Sequence, residues 1–249
     1  MVSNSEEFDV RASDYQLRSN WSSSPEVAAA AVQLLTDRDL GSLLDAGGGT
    51  GFLADYVVGR LGAARTVVLD ESLGMLSHVP PGLVRVAKAI EALDASDGMF
   101  DTILLRQVLH YVEDPADVLR VLSGRLAASG VMYVGQIVAP DPVAADWLQS
   151  VARAMSPNRR RVWTPVSLLS LISRSGLSLT RGSIVPHVDA LSSWVSRSAQ
   201  QVDPREWERL LGTLTPELCS AMDIQHRGAG LQYRLYWMHC LVTVAPARK

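Results

Sequence analysis

The sequence predicts a doubly wound α/β fold, with one mostly parallel sheet and helices on both of its faces. Three observations carry this. Leu43-Leu44-Asp45-Ala46-Gly47-Gly48-Gly49-Thr50-Gly51-Phe52 runs from a short apolar strand, through a glycine turn, into a helix-forming stretch. That order is the nucleotide-binding opening of such sheets, because glycine takes the backbone angles of the turn and lets a ligand approach the main chain. Thr66-Val67-Val68-Leu69-Asp70 is a second apolar, partly β-branched run that ends in an acid, as expected of a neighbouring parallel strand. Strand and helix signals then alternate as far as Val138, the pattern of an α/β sheet.

Each element has a local reason. Ser24-Pro25-Glu26 combines a cap, a proline in the first turn and an acid, so a helix starts there. Val27, Ala30, Ala31, Leu34 and Leu35 fall on one face of it, and Asp39-Leu40-Gly41 ends it before the first strand. Asp45 stands at the carboxyl tip of that strand, and residues 52–58 read as the next helix. Residues 71–76 suit a short helix, Pro80-Pro81-Gly82 a turn, and Val84 to Ala87 the third strand. Thr102 to Leu105 reads as the fourth strand, whose tip faces the ligand crevice beside the glycine turn. Asp114-Pro115 opens a helix through Leu126, with Val118, Leu119, Val121 and Leu122 on its apolar face, and Gly130 to Val138 is the fifth strand. Thr164 caps a helix that ends at Gly176. Leu177 to Val185 reads as the sixth strand and Leu231 to Val244 as the last, which makes a seven-stranded sheet.

Two stretches, residues 140–161 and 186–230, interrupt this rhythm. The second is much longer than an ordinary connection between neighbouring strands. They carry Trp147, Trp194 and Trp207, and helical spacing through Leu210, Leu211 and Leu214. They are expected to form a helical lid over a substrate, the alternatives being peripheral packing or the face of a homodimer. The Arg159-Arg160-Arg161 run reads first as a solvated face; a functional role for it would be to grip a carboxylate or phosphate. The chain is expected to be one domain: an N-terminal arm of residues 1–23, a core of about 24–139 and 163–185 plus 231–245, and the two insertions.

Composition narrows the function. The chain of 249 residues has a formal net charge of −3, so no global field draws it to nucleic acid or anionic lipid. It shows no basic stripe with interleaved aromatics, and nucleic acid is not expected as a partner. No apolar run approaches a membrane span. The first residues lack the basic start and apolar core of a secretory signal, so a cytoplasmic location is expected. Cys219 and Cys240 make neither a disulfide framework nor a metal spacing, and no metal is expected. The glycine turn is not the dinucleotide fingerprint G-x-G-x-x-G, since counting from Gly47 its third glycine falls on Phe52. A phosphate-cradling P-loop is excluded because no lysine follows the turn.

What stands there, Asp45-x-Gly47-x-Gly49-x-Gly51, resembles the first motif of the class I S-adenosylmethionine (SAM)-dependent methyltransferases. Arg106-Gln107-Val108-Leu109-His110-Tyr111-Val112-Glu113-Asp114-Pro115 is similar to the fourth-strand motif of their small-molecule branch, like the ubiquinone and menaquinone biosynthesis enzymes. The resemblance implies a Rossmann-like sheet closed by an antiparallel hairpin, SAM as cofactor, S-adenosylhomocysteine as product and a small-molecule acceptor. It implies a cofactor site of Tyr15, Asp45, Gly47, Gly49, Asp70, Ile90, Glu91 and Gln107. Asp70 would take two hydrogen bonds from a ribose diol, or else cap the following helix. Ile90-Glu91-Ala92-Leu93 matches the adenine-contacting segment, but Ala89 stands where many members carry an acid. Residues 8–23, with Phe8, Tyr15 and Trp21, fold over the cofactor in related enzymes, and read equally as a surface arm with anchoring aromatics.

Methyl transfer from a sulfonium depends chiefly on holding the acceptor against it, and a weak nucleophile also benefits from a base. His110 is the best placed of the five histidines, with Tyr111 beside it; a capping or packing role at the turn is the alternative. As base it would give a rate that rises with pH through a histidine-like transition. A non-methylating reaction such as cyclisation, or a catalytically silent binding subunit, are the other readings this fold admits.

Overall fold

The computed structural model describes residues 3–15, 24–156, 158–190, 203–227 and 230–246. Trp21 and Trp194, with the rest of residues 16–23 and 191–202, lie outside the described residues. Helix α1 (Asn4–Arg11) is followed by α2 (Pro25–Leu35), β1 (Ser42–Ala46), α3 (Phe52–Leu61), β2 (Arg65–Asp70), α4 (Leu73–Ser77) and β3 (Val84–Ala87). Then come β4 (Phe100–Arg106), α5 (Pro115–Ser123), β5 (Leu126–Val138), α6 (Pro142–Met155), α7 (Pro165–Arg174) and β6 (Leu177–Ala190). Helices α8 (Pro204–Leu211) and α9 (Pro216–Ala221) precede β7 (Gln225–Arg227) and β8 (Gly230–Val244).

The sheet runs β3-β2-β1-β4-β5-β8-β6, with β7 attached to β8. The first five strands of that path pair in parallel, and β8 lies antiparallel to β5, β6 and β7. β1 is central, so Asp45 and the glycine turn emerge at the switch point between β2 on one side and β4 on the other. Side chains alternate between the faces. Leu44, Ile103, Leu105, Met132 and Val134 pack with Val118, Leu119 and Leu122 of α5 and Leu168, Leu171 and Ile172 of α7. Leu43, Leu104, Val131 and Tyr133 pack on the opposite face with Ala28, Ala31 and Leu35 of α2 and Leu53, Ala54 and Val57 of α3. Leucines buried this fully are worth about 1.5–3 kcal/mol each against exposure, which is why apolar alternation alone places these strands.

The two insertions share a third cluster, in which Trp147, Leu148 and Val151 of α6 meet Leu210, Leu218, Tyr233, Leu235 and Trp237. The Trp147 indole N–H donates to the Leu210 carbonyl at 3.3 Å and to Thr213 Oγ1 at 3.1 Å. This cluster sits against Ile137 and Ala139, at the carboxyl end of β5.

Two expectations are corrected. Among the described residues the sheet has eight strands rather than seven, because the three-residue β7 folds back on β8. β6 does not stop at Val185 but continues to Ala190, since β8 pairs with it as far as Ala190↔Gln232; residues 186–190 belong to the sheet and not to the second insertion. The N-terminal arm opens with α1, started by a capping box between Ser3 and Glu6. No helix among the described residues is long and apolar enough to cross a membrane.

Candidate active site

The glycine turn is built for close approach. Gly47, Gly49 and Gly51 have φ of +65°, +58° and +74°, the left-handed region that other residues enter only at a cost. At Gly47 a Cβ would lie 2.5 Å from Val108 Cγ2, so the turn also has no room for a side chain there. At Gly49 a Cβ would meet nothing within 4 Å, because that side of the residue faces open space. The backbone N–H of Gly48 donates to the Leu69 carbonyl at 3.1 Å, and that of Gly49 to Asp70 Oδ2 at 2.9 Å, tying the turn to the tip of β2. Asp70 Oδ1 accepts the Ser72 N–H at 2.9 Å, but the cap of α4 is Ser72, whose hydroxyl accepts the Met75 N–H at 3.0 Å, so the capping role read for Asp70 falls to Ser72. The Glu71 N–H bonds to the same carboxylate, whose roughly four lone-pair sites then leave capacity for one further donor.

An open cleft of about 470 Å³, its mouth included, is lined by Tyr15, Asp45, Gly47, Gly49, Phe52 and Arg106 together with Gly48, Thr50, Leu53 and Gln107. Asp45 forms its floor at 2% exposure and accepts the Ala54 N–H at 3.3 Å. Burial pushes its carboxyl up to about 6; Arg106 and the Ala54 N–H oppose that rise, and Asp70 adds to it. Opposite stands Arg106, with its guanidinium 5.7 Å from the Phe52 ring centroid. Arg106 Nη1 and Gln107 Nε2 are buried donors without a hydrogen-bond partner in the structure. Gln107 has φ of +59°, a left-handed conformation held at the tip of β4 while its N–H donates to the Gly135 carbonyl at 2.9 Å. Strain of this kind persists only where the surroundings impose it, and it gathers at functional positions.

The fourth-strand motif continues behind the cleft. His110 is 3% exposed, with Nδ1 3.0 Å from Gln136 Nε2, and the same Nε2 donates to Gln107 Oε1 at 3.2 Å. Burial first, then the charges of Arg159 and Arg11, hold His110 well below its ordinary pKa, against a smaller opposing effect from Gln136. Tyr111 is raised by burial, which outweighs the same two arginines. Phe8 of α1 meets the Tyr111 ring edge-on at 5.1 Å, and Asn4 Nδ2 donates to the Tyr111 carbonyl at 3.4 Å. From the same helix Glu7, 6% exposed, accepts the Ser156 hydroxyl at 2.8 Å and Asn158 Nδ2 at 2.9 Å. Asp9 Oδ1 accepts the Ser72 hydroxyl at 2.5 Å and the Gly74 N–H at 2.8 Å. Helix α1 therefore joins the turn after β2, the His110–Tyr111 turn and the first insertion.

The solvated-face reading of the Arg159–Arg161 run holds for Arg160, which is exposed, and is corrected for Arg159 and Arg161. Arg159 is 9% exposed. Arg160 donates from its backbone to the His110 carbonyl at 2.8 Å and from Nε to the Tyr111 carbonyl at 3.2 Å. Arg161 Nη2 reaches the Val112 and Glu113 carbonyls at 3.3 and 2.8 Å. Arg160 and Arg161 brace residues 110–113.

Of the residues marked from the sequence, Tyr15, Asp45, Gly47, Gly49 and Gln107 line one cleft, and Asp70 joins it through Gly49. His110 and Tyr111 are not among the lining side chains; His110 connects to the cleft through Gln136 and Gln107. Ile90 is 5% exposed and packs in the core with Leu69 and Leu105, while Glu91 is exposed and its charge acts on Glu71. Sequence reasoning missed Arg106, Gln136 and the acids of α1. A signal existed for Arg106, a charge ending an apolar strand, and for α1, the Ser3-x-x-Glu6 pattern. Among the described residues no group of three or more His, Cys, Asp or Glu is placed to hold a metal ion.

Residues 20–181, more than half of the chain, match a family profile described as a methyltransferase domain. Over 101 residues, 37% of this chain, it is 33% identical to an uncharacterized protein of Synechococcus sp., and the match spans 24% of that relative's length. Among solved structures it resembles the YcgJ protein of Bacillus subtilis, 16% identical, with a TM-score of 0.75 and coverage of 89% of this chain and 99% of that one. It also resembles a SAM-dependent methyltransferase of Geobacter sulfurreducens in complex with S-adenosyl-L-homocysteine, 14% identical, TM-score 0.56, covering 89% and 91%. At these identities the structural likeness speaks for the fold.

Proposed function

The chain belongs to the methyltransferase domain family, and from that premise we propose that it transfers the methyl group of SAM to a small-molecule acceptor and releases S-adenosylhomocysteine. The observation that carries the proposal is the cleft between the glycine turn and the tip of β4, with Asp45 and Arg106 both among its lining residues. A nucleoside carrying an amino-acid end suits it: the open side of Gly49 leaves space beside the main chain, the unpartnered donor Arg106 Nη1 suits a carboxylate, and the Gln107 amide in the same cleft can turn its oxygen to an ammonium group. Asp45 and Asp70 offer acidic partners to cationic and hydroxyl groups, and Tyr15 walls the mouth. Ile90 and Glu91 retain the adenine-side role that the resemblance implies.

SAM supplies an already activated methyl group; the protein's part is to hold the acceptor in line and to exclude water. The buried wall behind the cleft, made by the His110–Tyr111 turn, α1 and the first insertion, suits that task. Neutral His110 is the proposed base for an acceptor that must lose a proton, with Tyr111 beside it. Calorimetric titration with SAM, and the mass of the product formed from candidate metabolites, test the reading. A product that gains no methyl would favour cyclisation or a silent binding role.

Asp70→Ala is expected to weaken SAM binding by on the order of 1.5–3 kcal/mol, since it removes charge-assisted acceptors and leaves the Gly49 N–H without its partner. Unchanged affinity by calorimetry would remove Asp70 from the site.

The two insertions are proposed to form one lid, as their shared cluster at the carboxyl end of β5 suggests. Lid elements come from the less stable part of a structure. Hydrogen exchange in α6, α8 and α9 is expected to slow when substrate and S-adenosylhomocysteine bind together. Protection indifferent to ligands would favour the packing or homodimer reading.

A further inference from the structure

Three side chains link the cleft to His110, and their unsatisfied atoms lie in a revealing order. Gln107 presents Nε2 as a buried donor without a partner, and its Oε1 accepts from Gln136 Nε2 at 3.2 Å. Gln136, 1% exposed, uses that nitrogen again toward His110 Nδ1 at 3.0 Å, and its own Oε1 has no partner. An amide nitrogen only donates, so His110 Nδ1 is the acceptor and the ring proton of the neutral imidazole stands on Nε2. In this arrangement His110 offers an N–H and no basic nitrogen.

Turning both amides over keeps the same two links and reverses their direction. Gln107 then donates to Gln136, and Gln136 Oε1 accepts from His110 Nδ1–H. One proton leaves Nε2 to solvent and one is taken up at Nδ1, so the ring stays neutral and Nε2 becomes a proton acceptor. The two arrangements have equal numbers of internal hydrogen bonds, so the reversed one is within reach. The structure holds the first of them without a ligand, and what meets Gln107 in the cleft decides whether it is kept. A ligand acceptor there satisfies Nε2 and holds the arrangement seen; a ligand donor, such as an ammonium group, favours the reversed one.

We propose that Gln107 and Gln136 form an amide relay through which occupancy of the cleft sets the tautomer of His110, with Gln136 as the positioning residue. This rests on the proposed cofactor site. It gives the left-handed backbone of Gln107 a purpose, since the side chain must face the cleft and Gln136 together. In a well-studied catalytic triad, holding the imidazole in the wrong tautomer costs about 10⁴ in rate, so such a relay can act as a switch.

The test uses the full-length protein with histidine ¹⁵N labelling at a pH above the titration of His110. In the free wild type His110 is expected to show one dominant tautomer with Nε2 protonated, and S-adenosylhomocysteine is expected to shift the balance toward protonated Nδ1. Gln136→Leu is expected to leave a mixture of tautomers in the free protein, and to lower the methylation rate about tenfold or more with S-adenosylhomocysteine affinity nearly unchanged. Gln107→Leu, which cuts the chain at the cleft while leaving Gln136 on His110, is expected to abolish the ligand-induced change. Identical His110 signals in wild type and Gln136→Leu would overturn the relay, and so would a ligand-induced change that survives Gln107→Leu. Calorimetric binding of S-adenosylhomocysteine without any change at His110 would overturn it too. Absence of calorimetric binding would instead overturn the cofactor reading, while the free-protein comparison of wild type with Gln136→Leu still decides whether Gln136 sets the tautomer.

Discussion

His110→Ala lowers the rate of methyl transfer by about 10²–10⁴-fold while SAM affinity stays nearly unchanged: this is the expected result if His110 is the base. The separation of the two effects follows from its place. His110 does not line the cleft but stands behind it, joined by Gln136 and Gln107. The structure changes the expected pH profile. Burial, Arg159 and Arg11 hold the imidazole neutral well below its usual titration, so the rate is expected to be flat between about pH 6.5 and 8 rather than rising through a histidine-like step. Stability takes the opposite share. As pH falls below the ordinary histidine value, the unfolded chain binds a proton that native His110 refuses, and the fold weakens. The measurement is a single-turnover rate with a substrate whose chemistry is slower than product release. A near-wild-type rate in His110→Ala across neutral pH would leave proximity alone, or Tyr111 and Tyr15, as the remaining explanations.

Asp45→Asn is expected to stabilise the fold and to weaken the site. The Asp45 carboxyl rises from 3.8 to about 6 on folding, so between those values the native state holds a proton that the unfolded chain has released. Stability therefore falls as pH rises through that window and is lowest above it. A displacement of this size amounts to about 3 kcal/mol at most, and asparagine removes the cost of ionisation while keeping an oxygen for the Ala54 N–H. The urea midpoint at pH 7.5 should rise by the equivalent of about 1–3 kcal/mol, and the gain should vanish below about pH 4. SAM binding should weaken by about tenfold, because a hydrogen bond to a charged group is worth about 1.5–3 kcal/mol against about 0.5–1.5 kcal/mol for a neutral pair. Equal stability of the two proteins at both pH values would mean that Asp45 is not strained by burial. A residue that costs stability where it stands is one kept for binding.

The parallel core was legible because its signals are local. Leu43 to Gly51 and Val67 to Asp70 are short runs whose burial and turn chemistry are set by residues next to them, and the structure places both as read. What escaped were features that depend on residues far apart in sequence. The extension of β6 to Ala190 exists because β8 offers partners that far, and nothing in Pro186-His187-Val188 announces a strand. The Arg159–Arg161 run looks solvated until residues 110–113 bring backbone carbonyls to it across some 48 positions of chain. Gln136 is one polar residue inside an apolar strand, and its meaning comes only from Gln107 and His110 at either end of it. The cleft residues Asp45, Gly47, Gly49 and Gln107 were readable from a motif; the buried polar groups behind them were not.

The position of β8 has a consequence for how the chain assembles during synthesis. It lies between β5 and β6 yet follows both in sequence. Until residues 230–244 leave the ribosome, β5 presents an unpaired edge and β6 has no neighbour in the sheet. The parallel half, from β3 to β5, draws only on residues before 139 and can collapse early, whereas the closing step waits for a strand that must insert between two segments already made. Pairings between segments so distant form slowly, and an apolar edge left open in that interval is a template for other chains. The nascent protein is thus most prone to aggregate just before its last strand arrives, and any lesion that delays β8 lengthens that interval without touching the cleft.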